Sequence, residues 1–170
     1  MTCPGCGVTV PPGGPTARCE SCDFPVGELR FGLSMMYILT GAFFMASLAY
    51  CALVAVMKVP VKDSAGAQTL TYALGAAAAA VFLAVSLWAQ IPDKLAPAEA
   101  RQRMIIQLAL SESVVIYGLI TYFLTGKVQN FAMFLAGTLV LFVIVGLRVP
   151  RWGLAMRRYM YDQWEESRRK

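Results

Sequence analysis

The sequence predicts an all-α polytopic membrane protein with four transmembrane helices, a small N-terminal metal-binding head and a C-terminal amphipathic helix. Apolar residues make up 58% of the 170 residues. The mean hydropathy of +0.58 also lies above the range typical of soluble domains. Four apolar runs approach the ~20 residues that cross a bilayer core, and paired cysteines precede the first run.

The four runs divide the chain into a head, a membrane domain and a tail. They cover residues 33–57, 68–89, 104–125 and 131–147, and none contains proline. The predicted domains are therefore residues 1–30, 31–148 and 149–170. Residues 1–30 lack the basic segment and apolar run of a cleavable signal peptide, so we expect the first run to be retained as an anchor.

The basic residues predict the orientation, because Lys and Arg are retained on the cytoplasmic side. Twelve of the 15 lie in the head, the loop before the third run and the tail, and only Lys58, Lys62 and Lys127 lie on the other side. Both termini are therefore expected in the cytoplasm. The basic tail favours lipid headgroups as partners, and no nucleic-acid partner is expected.

Four cysteines in the head form two Cys-x-x-Cys pairs, and 12 residues separate the pairs. This spacing is typical of a tetrahedral site with four thiolates, in which the metal folds a segment too small to build an apolar core. The predicted ligands of Zn²⁺ are Cys3, Cys6, Cys19 and Cys22. An iron site or a dithiol redox pair remains an alternative.

The head resembles a zinc ribbon of the short Cys-Pro-x-Cys-Gly kind, which occurs at the N-termini of many bacterial membrane proteins. The resemblance covers about residues 3–23. It implies a structural or docking module on the cytoplasmic side of a bacterial inner membrane.

Glu112 is the one charged side chain well inside the apolar runs. A carboxylate at mid-membrane depth costs about 2.5–3.5 kcal/mol on insertion scales, so its presence predicts an ion or proton site. Ser111 and Ser113 flank it, and Tyr117 follows little more than one helical turn later.

The second run is rich in small residues, which let helices approach closely in lipid. We predict that it is a packing helix and that it mediates self-association. The predicted packing positions are Gly75, Ala77, Ala80 and Ala84.

Residues 68–124 resemble the hairpin of the c subunit of F-type ATP synthases. The resemblance includes the small-residue helix, the loop Ala100-Arg101-Gln102, and the stretch from Leu110 through Glu112 to Tyr117-Gly118-Leu119. It implies a ring-forming homo-oligomer in which Glu112 binds a proton or a sodium ion, with Ser113 and Tyr117 supporting sodium. The facing run offers Ala and Gly, which favours the proton. The spans before and after the hairpin depart from the family pattern.

The tail repeats large apolar residues at helical spacing after Pro150. They are Trp152, Met156, Tyr159, Met160 and Trp164. This pattern predicts an amphipathic helix that rests on the membrane surface or contacts another subunit.

The sequence contains no histidine and no nucleophile–base pair, so we expect no enzymatic activity. The alternative to a ring-forming ion-binding protein is a membrane-tethered adaptor. Its zinc ribbon would recruit a cytoplasmic partner, and Glu112 would only fix helix packing.

Overall fold

A computed structural model describes residues 2–11, 13–14, 16–61, 65–88 and 92–169. Lys62, Lys170 and residue 89, the predicted end of the second run, lie outside this part. Four helices are present in the described chain, and each is long and apolar enough to cross a membrane. They are α1 (Val26–Val56), α2 (Ala65–Leu87), α3 (Pro97–Thr125) and α4 (Val128–Arg169). The predicted four apolar helices are thereby confirmed.

Local signals explain where α3 begins and ends. Pro97 occupies the first helical position, where its missing N–H is not needed, and Glu99 lies in the first turn. At the other end Gly126 adopts a left-handed conformation with φ of 68°. Its N–H donates to the Tyr122 carbonyl oxygen at 2.7 Å, which terminates the helix.

The tail is helical, as predicted, but it is not a separate helix. Helix α4 continues through Pro150 to Arg169. Proline removes one backbone hydrogen bond and crowds the carbonyl of Gly146 four residues earlier, and such a defect is tolerated where packing holds the flanking turns. Val149 and Trp152, on either side of Pro150, are both buried.

The chain divides into two compact units. Unit 1 consists of Met1–Ile38, Ile91–Met104 and Leu147–Lys170. In this unit the apolar face of the tail packs inward, with Trp152, Met156 and Met160 all buried. The Leu95 N–H donates to the Ala155 carbonyl oxygen at 3.4 Å. Helix α1 begins at Val26, within the predicted head segment of residues 1–30.

Unit 2 consists of Leu39–Gln90 and Ile105–Gly146. Its core joins α1, α3 and α4 through Val54, Val115, Tyr122 and Phe131. The Tyr122 hydroxyl donates to the Met57 carbonyl oxygen. It thereby supplies a hydrogen-bond donor to a backbone carbonyl that has no partner within the helix at the end of α1. Cys51 packs against this core as an apolar filler.

Two glycines in unit 2 permit close approaches that a side chain would prevent. A Cβ added to Gly118 on α3 would lie 2.6 Å from the Cβ of Phe134 on α4. A Cβ added to Gly126 would lie 2.6 Å from the Pro60 carbonyl oxygen. The loop after α1 and the loop after α3 therefore touch directly.

Candidate metal centre and membrane carboxylate

Short turns in unit 1 bring the two cysteine pairs together. In the first pair the Cys3 N–H donates to the Val8 carbonyl oxygen at 2.8 Å, and Gly7 supplies the left-handed turn with φ of 74°. In the second pair the Asp23 N–H donates to the Cys19 carbonyl oxygen at 2.7 Å, and Asp23 also has a positive φ of 60°. Each pair thus closes on its own tight turn.

The four cysteine sulfur atoms all lie within 4.8 Å of one another. Cys3 Sγ and Cys22 Sγ are 3.5 Å apart, and Cys6 Sγ and Cys19 Sγ are also 3.5 Å apart. Tetrahedral zinc with Zn–S bonds of about 2.3 Å separates its sulfur atoms by about 3.8 Å. The predicted cluster is therefore formed, and its size fits a metal ion held by four thiolates.

The cluster is closed on most sides. Cys3, Cys19 and Cys22 are buried, whereas Cys6 is exposed. Burial raises the pKa of the Cys22 thiol to about 12. A metal must therefore displace its proton at neutral pH, as binding by a thiolate requires.

Trp164 on α4 lies against both cysteine pairs, whereas the sequence assigned it to a stripe that rests on the membrane surface or contacts another subunit. Its indole N–H donates to the Cys22 carbonyl oxygen at 3.0 Å. A Cβ added to Gly5 would lie 3.3 Å from Trp164 Cη2. No local pattern links Trp164 to Cys22, because 142 residues separate them.

Glu112 lies half-buried on α3 and accepts a hydrogen bond from Tyr50 on α1. Tyr50 Oη and Glu112 Oε1 are 3.3 Å apart. Sequence reasoning missed Tyr50. Ser47, Tyr50 and Val54 share one face of α1, and the two polar side chains on that face were the signal that could have identified a partner for Glu112.

Ser111 and Ser113, which flank Glu112, bond to the backbone of their own helix, and the predicted roles of Ser113 and Tyr117 in ion binding stay predictions. The Ser113 hydroxyl donates to the Leu110 carbonyl oxygen of its own helix at 2.7 Å, and Ser111 does the same with Gln107 at 2.8 Å. Such back-bonding is the usual way to satisfy a hydroxyl in apolar surroundings. Tyr117 lies half-buried further along α3.

Ser47 lies one helical turn from Tyr50 on α1. It is 1% exposed, and its hydroxyl has no hydrogen-bond partner among the described residues. Buried hydroxyls normally find a partner, so an unpaired one is unusual.

The predicted packing helix α2 is only partly covered in the single chain. Gly75 and Ala77 are half-buried, whereas Ala80 and Ala84 are exposed. A cavity of about 290 Å³ separates the Gly75 side of α2 from Val114 and Gly137. Whether a second copy covers the exposed positions stays a prediction.

The fold and the sites define a helical protein with four membrane-length helices and a head whose four clustered cysteines are positioned to bind a metal ion. Comparisons with protein-family models, with curated proteins and with solved structures find no match to this chain.

Proposed function

We propose that this chain is an integral membrane protein whose zinc-ribbon head recruits a cytoplasmic protein partner, in the inner membrane of a bacterium. The observation that carries the proposal is the cluster of four cysteine sulfurs within 4.8 Å. A metal with four protein ligands has no open position for a substrate or a water molecule. A stabilising and docking role therefore fits the site better than catalysis.

The charge distribution and the folding units support the proposed orientation. Twelve of the 15 Lys and Arg residues belong to the head, the loop before α3 and the tail. These three segments fold into one unit. We therefore expect the head, the loop before α3 and the tail to lie on the same aqueous side of the membrane. If that side is the cytoplasm, its reducing conditions would keep the cysteines available to zinc.

The surface proposed for the partner is a groove of about 200 Å³ on the head. Its lining comes from residues 8–11, 13 and 17–21. Val8, one of its lining residues, is 47% exposed and accessible to a partner. A short extended segment of a protein partner matches the size of this groove.

A photo-reactive amino acid at Val8, introduced in intact cells, tests the proposal. We expect one discrete protein adduct that is lost in Cys3→Ser and in Cys22→Ser and is retained in Glu112→Gln. The matched control carries the same photo-reactive group at Val61, which is 64% exposed in unit 2. Adducts at Val8 that contain only lipid or a second copy of the chain, or that survive the cysteine substitutions, would contradict the proposal.

A second candidate function is a ring-forming protein with an ion site at Glu112. Two observations favour it. The carboxylate accepts a hydrogen bond from Tyr50, while the buried Ser47 hydroxyl has no partner among the described residues. Ala80 and Ala84 are exposed on α2 and available to another copy. The resemblance to c subunits implies a proton or a sodium ion at this carboxylate.

Carbodiimide labelling of Glu112 and the mass of the intact detergent-extracted complex separate the two candidates. The ring function predicts labelling that sodium or a change of pH suppresses, absence of the label in Glu112→Gln, and the mass of many copies. The adaptor predicts labelling that does not respond to ions. The mass of a single chain would exclude the ring.

A further inference from the structure

Trp164 connects the far end of α4 to both halves of the cysteine cluster. Its indole N–H donates to the backbone carbonyl of Cys22, a predicted metal ligand, at 3.0 Å. Its ring edge lies over Gly5, between the ligands Cys3 and Cys6. The position of Gly5 is itself tight, because an added Cβ would lie 3.1 Å from Cys22 Sγ. One side chain thus touches the backbone of both pairs.

Neighbouring side chains hold the indole of Trp164 in place. Phe24, which is completely buried, meets it edge to face with ring centroids 5.9 Å apart. Tyr161 meets it with ring centroids 5.6 Å apart, and the Arg168 guanidinium lies 4.8 Å from the ring centroid. Aromatic pairs and cation–π contacts of this kind are each worth about 0.5–1.5 kcal/mol.

We propose that Trp164 is a positioning residue of the metal centre, and that metal binding and the docking of residues 161–169 onto the head stabilise each other. The proposal rests on the zinc-binding role of the four cysteines. The indole N–H fixes the backbone that aims the Cys22 thiolate. Outer-shell hydrogen bonds of this kind alter metal affinity by about 10–100-fold.

The reverse effect follows from the size of the head. A segment of fewer than about 40 residues does not bury enough apolar surface to fold without a metal or a disulfide. When the metal leaves, the surface that receives Trp164 loses its shape. Coupling between two binding events is reciprocal. The factor by which docking raises the affinity for the metal therefore equals the factor by which the metal strengthens docking.

The coupling is confined to the end of α4. Residues earlier in the tail have their own supports in unit 1. The Leu95 N–H reaches the Ala155 carbonyl oxygen, Arg158 pairs with Asp93, and Met156 is fully buried. Loss of the metal should therefore release residues 161–169 and leave residues 150–158 protected.

The first arm of the test measures zinc loss from the full-length, zinc-loaded protein in detergent with a chromogenic chelator. Trp164→Phe keeps an aromatic ring and removes the N–H donor. We expect it to release zinc about 10-fold faster than the wild type. The control Trp88→Phe changes an exposed tryptophan of unit 2 and should release zinc at the wild-type rate.

The second arm uses the unaltered protein, so it does not depend on whether the variant folds. Hydrogen exchange is compared before and after the chelator strips the zinc. We expect faster exchange in residues 161–169 and unchanged exchange in residues 150–158.

The outcomes separate this proposal from the zinc-binding role. A wild-type chain that holds no zinc overturns both. A chain that holds one zinc, with unchanged release from Trp164→Phe or unchanged exchange at residues 161–169 after stripping, overturns the coupling alone.

Discussion

The Tyr50 hydroxyl donates a hydrogen bond to Glu112 Oε1 across 3.3 Å and so joins α1 to α3 at the one acidic side chain inside the apolar runs. The Ser113 hydroxyl donates to the Leu110 carbonyl oxygen of its own helix. The first span thus takes part in the environment of the carboxylate, which a hairpin of α2 and α3 alone does not provide.

A double-mutant cycle on Tyr50→Phe and Glu112→Gln measures this contact. We expect a coupling free energy of about 0.6 kcal/mol and at most about 1.7 kcal/mol, the range of hydrogen bonds between membrane helices. Unfolding in mixed detergent and SDS provides the measurement. Tyr72→Phe, at a side chain 76% exposed, is the control and should not couple to Glu112→Gln. Additive effects of Tyr50→Phe and Glu112→Gln would show that the contact contributes nothing.

The cysteine cluster predicts one zinc ion per chain. Elemental analysis of the purified protein should find this ratio, and Cys3→Ser or Cys22→Ser should weaken zinc binding and lower the ratio, because each removes one of the four thiolate ligands. Cys51→Ser is the matched control, since Cys51 packs against the core of unit 2 and is not one of the four clustered cysteines. Retention of stoichiometric zinc in both cluster variants would count against the four-thiolate site.

Gly126→Ala should destabilise the protein by about 1–3 kcal/mol, because a side chain at this positive φ is strained. The new Cβ would also meet the Pro60 carbonyl oxygen at 2.6 Å. Gly146→Ala places a methyl group where nothing lies within 4 Å and is the comparison. The free energy of unfolding should change little for Gly146→Ala. Equal effects of the two substitutions would argue against the contact between the loops.

Tyr122→Phe removes the hydroxyl that donates to the Met57 carbonyl oxygen at the end of α1. The loss should lower the free energy of unfolding by about 0.5–1.5 kcal/mol, the usual net worth of one hydrogen bond. Tyr37→Phe, at a side chain 58% exposed, serves as the control. A variant as stable as the wild type would indicate that Met57 finds another donor.

Several features were predictable from short-range patterns. The lengths of the apolar runs predicted four helices, because a bilayer sets the length of a spanning segment. The Cys-x-x-Cys spacing predicted that Cys3, Cys6, Cys19 and Cys22 meet, because four ligands around one ion leave little freedom in the turns. The prolonged α4 was not predicted, because Pro150 ends a helix in most sequences and only the buried residues around it carry the helix through.

The partners of Glu112 and of the metal ligands were decided by the tertiary structure. The contact between Tyr50 and Glu112 spans 62 residues, and that between Trp164 and Cys22 spans 142. Helical periodicity shows which residues share a face of one helix, but it does not show which face meets which neighbour. That choice depends on how complete side-chain surfaces fit together. The sequence by itself therefore determined the helices and the set of clustered cysteines, and only packing assigned Tyr50 to the carboxylate and Trp164 to the head.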